Sequence, residues 1–588
     1  MRPRGRAPGE DRPTAGDRGV TRAVPDPPPT ALARALAQTF ADRPERERIV
    51  IRSRQGARDV FTGDRLAAEA GAVARALRGW LGPGPHSLVL ALPAGAEFVV
   101  TLLGGLLAGV TLVPVPVPRP GSHSDRFRHI AADSGAAAVL CLPAHAEAVA
   151  AALALDGTPP CPVATLPLDP ARLPDPVRPA AAPDLPVAVI QYTSGSTRLP
   201  RGVRVTPDNI LANAVLVARC WGVDVHARFV NWLPHYHDMG LMGGILYPLL
   251  CGGFSAQMSP LDFIRRPALW LEAIADERAG FSGGPAFAFA DCLRRIAPDH
   301  AARLDLRCWR RAFIGAEPVP AGLPAAFHAH FAAAGLAREA VFACYGMAEM
   351  TLFAAGLPGP DRPPPSAEAA RAVAPCRLTP ELGAGLAIVD PIARTRRPEG
   401  AEGEIWLRGP SRGAGYLGLP GDTAETFGAA LDDPSDASGW LRTGDLGVIA
   451  DDALYVTGRI KDVVFCNGRT LAAPEIEWLA CGSSDVLNPM AAAVFMPDPA
   501  RGGQAVLLAE LRLGETPPDP DTLRRTIRRA VTGEWGLDLV EILFLPRGRL
   551  PRTSSGKIRR RAAAELWRDG AWPPETVPSV KEMPECPS

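Results

Sequence analysis

The chain has 588 residues and a formal net charge of zero, so it makes no electrostatic case for binding nucleic acid or an anionic membrane surface. Its length suits several domains, or one large and one small, and 47% hydrophobic residues is a globular composition. Eleven cysteines without a Cys-x-x-Cys pair argue against a zinc site or a disulfide framework and fit a reducing cytosol.

In chain order, residues 1–30 are rich in Arg, Pro and Asp and lack an apolar core, so they read as a disordered leader and not as a signal peptide. The stretch 98–118 carries no charge over 21 residues, but Gly109, Pro114, Pro116 and Pro118 interrupt it. It reads as a buried helix over 97–108, a C-cap at Gly109 and a strand over 110–117, with no membrane span. Strand-like runs then precede helical ones: 87–91 before 97–108, 138–142 before 144–153, and 187–190 before 208–221. That alternation predicts parallel α/β layers. Residues 355–366 read as a Pro-rich loop, and strands follow at 387–389, 403–408 and 454–457. After Gly458 the pattern changes to strand 462–466, helix 474–480, strands 491–496 and 504–511, helix 521–534 and strand 541–545. The expected divisions are a leader at 1–30, a large domain at 31–457, a connection at 458–461, a small domain at 462–570 and a tail at 571–588.

Lysine is the scarce cation, with three copies against 60 arginines. A lysine kept under such a bias points to work that arginine does poorly. A compact ammonium on a flexible stem can approach a carboxylate and a phosphate together, where a planar guanidinium is too bulky. Lys557 ends the run Pro551-Arg552-Thr553-Ser554-Ser555-Gly556-Lys557, in a loop expected to be exposed. Lys461 stands in Gly458-Arg459-Ile460-Lys461-Asp462, and Lys581 lies in the tail. Upstream, Thr193, Ser194, Ser196 and Thr197 surround Gly195 directly after an apolar run. A strand feeding such a turn can cradle phosphate with hydroxyls and backbone N–H groups. The segment is not a Walker loop, because Gly-x4-Gly-Lys-Ser/Thr is absent. His235, His237 and Asp238 suggest a metal site by composition, but their spacing does not put all three on one helical face.

The order of motifs says more than any one of them. After the hydroxyl segment come His235-Tyr236-His237-Asp238-Met239-Gly240, Gly315-Ala316-Glu317-Pro318 and Tyr345-Gly346-Met347-Ala348-Glu349. Leu441-Arg442-Thr443-Gly444-Asp445-Leu446-Gly447, the Lys461 motif and the Lys557 motif follow. Over residues 30–570 this order resembles the adenylate-forming superfamily of acyl-CoA synthetases, nonribosomal adenylation domains and luciferases. The runs Asn231-Trp232-Leu233-Pro234-His235-Tyr236-His237-Asp238-Met239-Gly240-Leu241 and Tyr345-Gly346-Met347-Ala348-Glu349-Met350-Thr351 look most like the fatty acyl-AMP ligases.

The resemblance implies an α/β protein with a large N-terminal adenylate-forming domain of layered sheets and helices and a small, mobile C-terminal α+β domain. The implied reaction joins a carboxylate to ATP, giving acyl-adenylate and pyrophosphate, with Mg²⁺ as cofactor. By the same resemblance Lys557 bridges carboxylate and α-phosphate, and Thr193, Ser194, Gly195, Ser196 and Thr197 hold the β- and γ-phosphates. Glu349 matches a magnesium ligand, Asp445 the ribose-binding aspartate, and Arg459 an arginine that contacts ribose or phosphate. Tyr345 stacks on adenine, Gly346 and Met347 beside it belong to the same nucleotide site, and Gly315, Ala316, Glu317 and Pro318 form the opposite wall. His237 lines the junction of acyl and nucleotide pockets, and Lys461 is the hinge. Arg198 and Arg201 depart from the glycine and lysine of many superfamily members. The segment 353–403, where the acyl-AMP ligases carry an insertion thought to block CoA thiolation, looks Pro-rich and short. The expected enzyme is cytoplasmic and loads a fatty acid onto the phosphopantetheine of an acyl carrier protein. The alternatives are an acyl-CoA synthetase, a stand-alone amino-acid adenylation enzyme and a silent acyl-binding scaffold.

Overall fold

A computed structural model describes residues 30–118, 124–154, 159–169, 171–177, 186–193, 199–360, 371–436, 439–466, 469–498, 503–512, 519–553 and 556–572. Expectations placed on 1–29, on 194–198, on 361–366 of the Pro-rich loop and on 573–588 lie outside the described residues.

Two mainly parallel sheets carry the large N-terminal unit. One runs in the order Val341–Ala343, Arg311–Gly315, Phe281–Pro285, Arg228–Asn231, Phe254–Gln257, Glu47–Arg52, with Arg58–Thr62 antiparallel at its edge. The other runs Val163–Thr165, Ala138–Cys141, Ser87–Ala91, Thr111–Pro114, Val189–Tyr192, with Gly202–Val205 antiparallel at its edge. Their central strands are apolar on both faces because helices cover them. The helix Ala96–Ala108 shows this most clearly, with nine consecutive residues from Phe98 to Leu106 buried. Gly109 caps it at φ 76° and the strand Thr111–Pro114 follows. The strand is shorter than expected because Pro114, Pro116 and Pro118 withdraw backbone donors from any further ladder. No helix among the described residues is long and apolar enough to cross a membrane.

A third, antiparallel sheet orders Cys376–Arg377, Ala453–Arg459, Leu441–Ala450, Gly403–Leu407 and Leu386–Val389. Gly458 and Arg459, expected in the connection, are the last residues of its strand Ala453–Arg459, because their backbones pair with Leu446 and Asp445. The chain leaves the sheet through the turn at Ile460, Lys461 and Asp462. Beyond it, two hydrophobic clusters form from residues between Val464 and Trp572. They fill a three-stranded sheet, Leu487–Phe495, Gln504–Leu511 and Asp538–Leu545, flanked by the helices Ala473–Gly482, Pro520–Trp535 and Arg560–Arg568. This small unit docks on the large one where Trp478 packs against Val373, Val448 and Tyr455.

Candidate active site

In parallel α/β layers ligands gather beyond the carboxyl ends of strands. Here the polar motifs stand at those ends: Thr193 after Val189–Tyr192, His235–Asp238 beyond Arg228–Asn231, Ala316–Pro318 after Arg311–Gly315, and Tyr345 beyond Val341–Ala343. They meet around one cavity of about 590 Å³. Of the residues singled out in the sequence, Thr193, His237, Ala316, Glu317, Pro318, Tyr345, Gly346, Met347, Glu349, Asp445, Arg459, Lys461 and Lys557 line it. Gly315 ends its strand behind the wall and does not line the cavity. Ser194, Gly195, Ser196 and Thr197 lie outside the described residues, but their flanks are tied, Thr193 N donating to Arg201 O over 3.0 Å.

Asp445 is placed by sheet register, directly opposite Arg459 on the neighbouring strand. Arg459 Nε stands 2.9 Å from Asp445 Oδ1, and Tyr345 donates its hydroxyl to Asp445 Oδ2 over 2.7 Å. The Asp445 charge holds the Arg459 guanidinium above its ordinary range. Burial, and then Asp445, push the Tyr345 phenol far up, so it stays a donor. The Tyr345 turn needs a residue without a side chain next to it. A Cβ on Gly346 would sit 1.8 Å from Leu352 O, which no other residue tolerates.

Glu349 is 6% exposed and accepts from Tyr416 Oη over 2.8 Å. Burial pushes its carboxyl above the usual range, with Arg201 and Arg459 among the cations that oppose the shift. Arg201 lies 4.2 Å over the Tyr416 ring and pairs with Asp422 at 3.2 Å. Its positive charge is therefore already shared within the protein.

Lys557 comes from the small unit. Its loop, expected to be exposed, is half-buried because it folds back onto the large unit. Thr553 N donates to Lys557 O over 2.8 Å, and Lys557 N donates to Thr553 Oγ1 over 3.1 Å. Arg552 donates to Gly556 O over 3.1 Å and pairs with the buried Glu510 at 3.1 Å. Gly556 adopts φ +87°, and a Cβ there would lie 3.1 Å from the Phe287 ring of the large unit. Burial and the Arg459 charge lower the Lys557 ammonium below its ordinary range, against the carboxylates of Asp238, Glu317 and Asp445.

The histidine motif splits three ways. His237 Nδ1 lies 2.6 Å from Asp238 Oδ1 at the cavity wall. Asp238 also accepts from Met239 N over 2.7 Å, capping the π-helical segment Met239–Leu246. Burial opposes ionisation of Asp238, but His237, Lys557 and the Met239 N–H together hold the carboxyl below its usual range. His235 points away into the core, 5.0 Å from the Phe98 ring, with Nε2 3.1 Å from Gln257 Oε1. Among the described residues no three His, Cys, Asp or Glu side chains gather to hold a metal ion.

The AMP-binding enzyme family matches residues 36–417, well over half of the chain. The chain belongs to this family. The enzyme is 33% identical to FadD21 of Mycobacterium tuberculosis, provisionally named a fatty-acid--CoA ligase, over 87% of this chain and 93% of the relative. It is 33% identical to the long-chain-fatty-acid--AMP ligase FadD26 of Mycobacterium marinum, over 87% of this chain and 92% of the relative. A solved structure from studies of the fatty acyl-adenylate ligases of E. coli and L. pneumophila superposes with a TM-score of 0.78 at 28% identity, covering 92% of this chain and 98% of that one. The enzyme is an adenylate-forming ligase with the α/β fold expected from its sequence.

Several residues of this site carried no sequence signal. Tyr416, which holds Glu349, reads as an ordinary core aromatic. The same holds for the apolar arm of the cavity, lined by Val217, Trp221, Phe229, Tyr247, Phe313 and Phe353. Trp221 is fixed there by stacking on Phe313 at 4.9 Å and by Nε1 donating to Gly356 O over 2.9 Å. Phe229 and Phe313 each lie two residues before their strand's end, so the arm runs back along the sheet by roughly 7 Å.

Proposed function

We propose that the enzyme activates a fatty acid, or a similar carboxylic acid with an apolar tail, by forming its acyl-adenylate from ATP in the cytoplasm. It then passes the acyl group to the phosphopantetheine thiol of an acyl carrier protein. One observation carries this reading: Lys557, delivered by the small unit, enters the same cavity as Asp445, Tyr345 and Glu349, and that cavity continues into an apolar arm.

In the reaction a carboxylate oxygen attacks the α-phosphorus of ATP, the new O–P bond forms, and the bond to pyrophosphate breaks. The carboxylate is a weak nucleophile and the α-phosphate is shielded by charge, so alignment and neutralisation are the enzyme's task. Lys557 places an ammonium between the two anions. Asp445 accepts from the ribose hydroxyls, Arg459 steadies it, and Tyr345 flanks the adenine opposite Ala316–Pro318. Thr193 begins the segment that holds the β- and γ-phosphates. A buried carboxylate such as Glu349, lifted above its usual range, suits a cation beside it. Magnesium favours one or two carboxylates completed by phosphate oxygens and water, which is what a lone Glu349 offers. The ion would neutralise phosphate charge there. Asp238 is already engaged by His237 and Met239 N, which speaks against its serving as an anchor for a substrate amino group.

The small unit turns about Lys461, an exposed residue in the turn after Ala453–Arg459. ATP–pyrophosphate exchange dependent on fatty acid tests the first step, and its absence with every acid tried would leave an acyl-binding protein. Product analysis with CoA, then with a holo carrier protein, tests the second. Rapid acyl-CoA formation would make the enzyme an acyl-CoA synthetase.

A further inference from the structure

Trp221 ends the helix Pro207–Trp221 and is only 6% exposed, yet it forms part of the cavity wall. Its backbone and its ring are held separately. Arg311 Nε donates to Trp221 O over 2.9 Å, and Trp221 Nε1 donates to Gly356 O over 2.9 Å. Side chains alternate between the faces of a strand, so Arg311, Phe313 and Gly315 share one face of Arg311–Gly315. Trp221 is gripped at the level of Arg311, and its ring stacks on Phe313 at 4.9 Å. The indole therefore lies across the inner end of the apolar arm.

A second aromatic ring completes this floor. Phe229 is in register with Phe281, and Phe281 with Arg311, so Phe229 stands at the depth where Trp221 is gripped. Phe229 is itself fixed by stacking on Phe281 at 4.7 Å. Phe342 and Phe353 meet the indole at 5.5 and 5.3 Å, both ring to edge. Phe342 does not line the cavity, so the indole stands between the arm and the core behind it.

From Gly315 at the strand end to Phe313, where the stack begins, is two residues, roughly 7 Å. An extended chain advances roughly 1.2 Å per bond, because a residue of three bonds spans about 3.5 Å. About six bonds therefore lie within the arm, and an acid of about eight carbons reaches its floor. The two polar atoms of the arm's aromatic lining are already used. Tyr247 donates its hydroxyl to the buried Asn213 Oδ1 over 2.7 Å, and Trp221 Nε1 is held by Gly356 O. A hydroxyl at the end of a tail would lose its water there and find no partner.

We propose that Trp221 is the specificity-determining residue of this enzyme, which takes apolar acids of medium length, about eight carbons, and does not admit long-chain ones. This rests on the adenylation reading above and names its substrate class.

The test measures ATP–pyrophosphate exchange, and acid-induced shifts in melting temperature, with butyrate, octanoate, octanoate bearing a terminal hydroxyl, and palmitate. Wild type is compared with Trp221→Phe and Trp221→Leu. In wild type kcat/KM is expected to rise severalfold per methylene up to octanoate and to be about tenfold lower or more for palmitate. The terminal hydroxyl should cost about tenfold to a hundredfold. Trp221→Leu removes most of the floor, so its ratio of palmitate to octanoate should rise by about tenfold or more while the KM for ATP stays. Trp221→Phe keeps a ring on Phe313 and shifts the ratio less. Melting temperatures without acid are compared first, and the wild-type profile decides even if a variant does not fold. Palmitate used as well as octanoate by wild type overturns the proposal, as does a folded Trp221→Leu protein with the wild-type profile. Octanoate bound in preference to palmitate, with exchange from no acid, would sink the adenylation reading and leave the length limit standing.

Discussion

Tyr345 and Asp445 are held together by a hydrogen bond of 2.7 Å, while Arg459 takes the other Asp445 oxygen at 2.9 Å. The carboxylate is thus fixed in direction by two neighbours before any nucleotide arrives. An acceptor so oriented is matched to a pair of adjacent hydroxyls.

Asp445→Ala is therefore expected to raise the KM for ATP by about tenfold or more and to move the KM for the acid much less, because two ribose hydroxyls lose their acceptor. Tyr345→Phe should give a smaller shift of the same kind. Steady-state kinetics with each substrate varied in turn decides it. A change confined to the acid would mean that the nucleotide lies elsewhere in the cavity.

Lys557→Ala and Lys557→Arg should each slow adenylation by about 10²-fold or more, roughly 2.7 kcal/mol of barrier at least. The arginine variant is the sharper case, since it keeps the charge and changes only its shape. The loop packs on Phe287, so melting temperatures of both variants should be compared with wild type first. Near-normal acyl-AMP formation by the alanine variant would remove Lys557 from the chemistry.

With fatty acid, ATP and Mg²⁺, acyl-AMP should accumulate, little acyl-CoA should form on adding CoA, and a holo carrier protein should consume the adenylate. Chromatography of the three reactions reads the outcome. The segment 353–403, the candidate for biasing the small unit toward this pose, contains the short strands Phe353–Ala355 and Cys376–Arg377, the helix Pro380–Ala384 and the strand Leu386–Val389. Acyl-CoA appearing as fast as acyl-AMP would show that this bias does not exist.

Acid stability should depend on His235. Burial lowers its pKa to about 4, below the 6.5 of an unperturbed histidine. As pH falls, the unfolded chain takes up this proton before the folded one does. The contribution is complete above about pH 6.5 and is lost progressively as pH falls through 4, on the order of 3 kcal/mol. Denaturation curves between pH 7 and 4 should show a steeper loss for wild type than for His235→Gln. Identical slopes would mean that His235 does not titrate as its burial dictates.

Arg560 ties three pieces of the small unit, with two contacts of 2.7 Å to Glu477 and one of 3.2 Å to Asp462 in the turn beside Lys461. Arg560→Met strands the buried Glu477 and should cost about 3–5 kcal/mol. The loss should appear as an early transition of the small unit in urea, with Trp567 and Trp535 fluorescence changing before the rest. A single, unshifted transition would show that the network is replaceable.

The sequence disclosed the residues whose chemistry is unusual for their surroundings. A lysine among arginines is conspicuous wherever it falls, and strand ends carry Thr193, His237 and Tyr345 to the cavity that Lys557 enters. The alternation of apolar runs disclosed the layers as well, down to the cap at Gly109. What stayed hidden depends on distance in space. Tyr416 matters because it meets Glu349, and Trp221 because it meets Phe313. In the chain each looks like any core aromatic. The exposure of the Lys557 loop was misread because small polar residues suggest solvent, whereas Gly556 is small so that Phe287 can approach.

That contact between Gly556 and Phe287 has a consequence for time as well as for place. An acyl phosphate anhydride is short-lived in water, and shielding it is part of making it useful. Lys557 enters the cavity one residue after that contact, so an adenylate formed there should stay shielded only while the glycine rests on the phenyl ring. Free AMP released in the absence of any acceptor would be a clock for that opening.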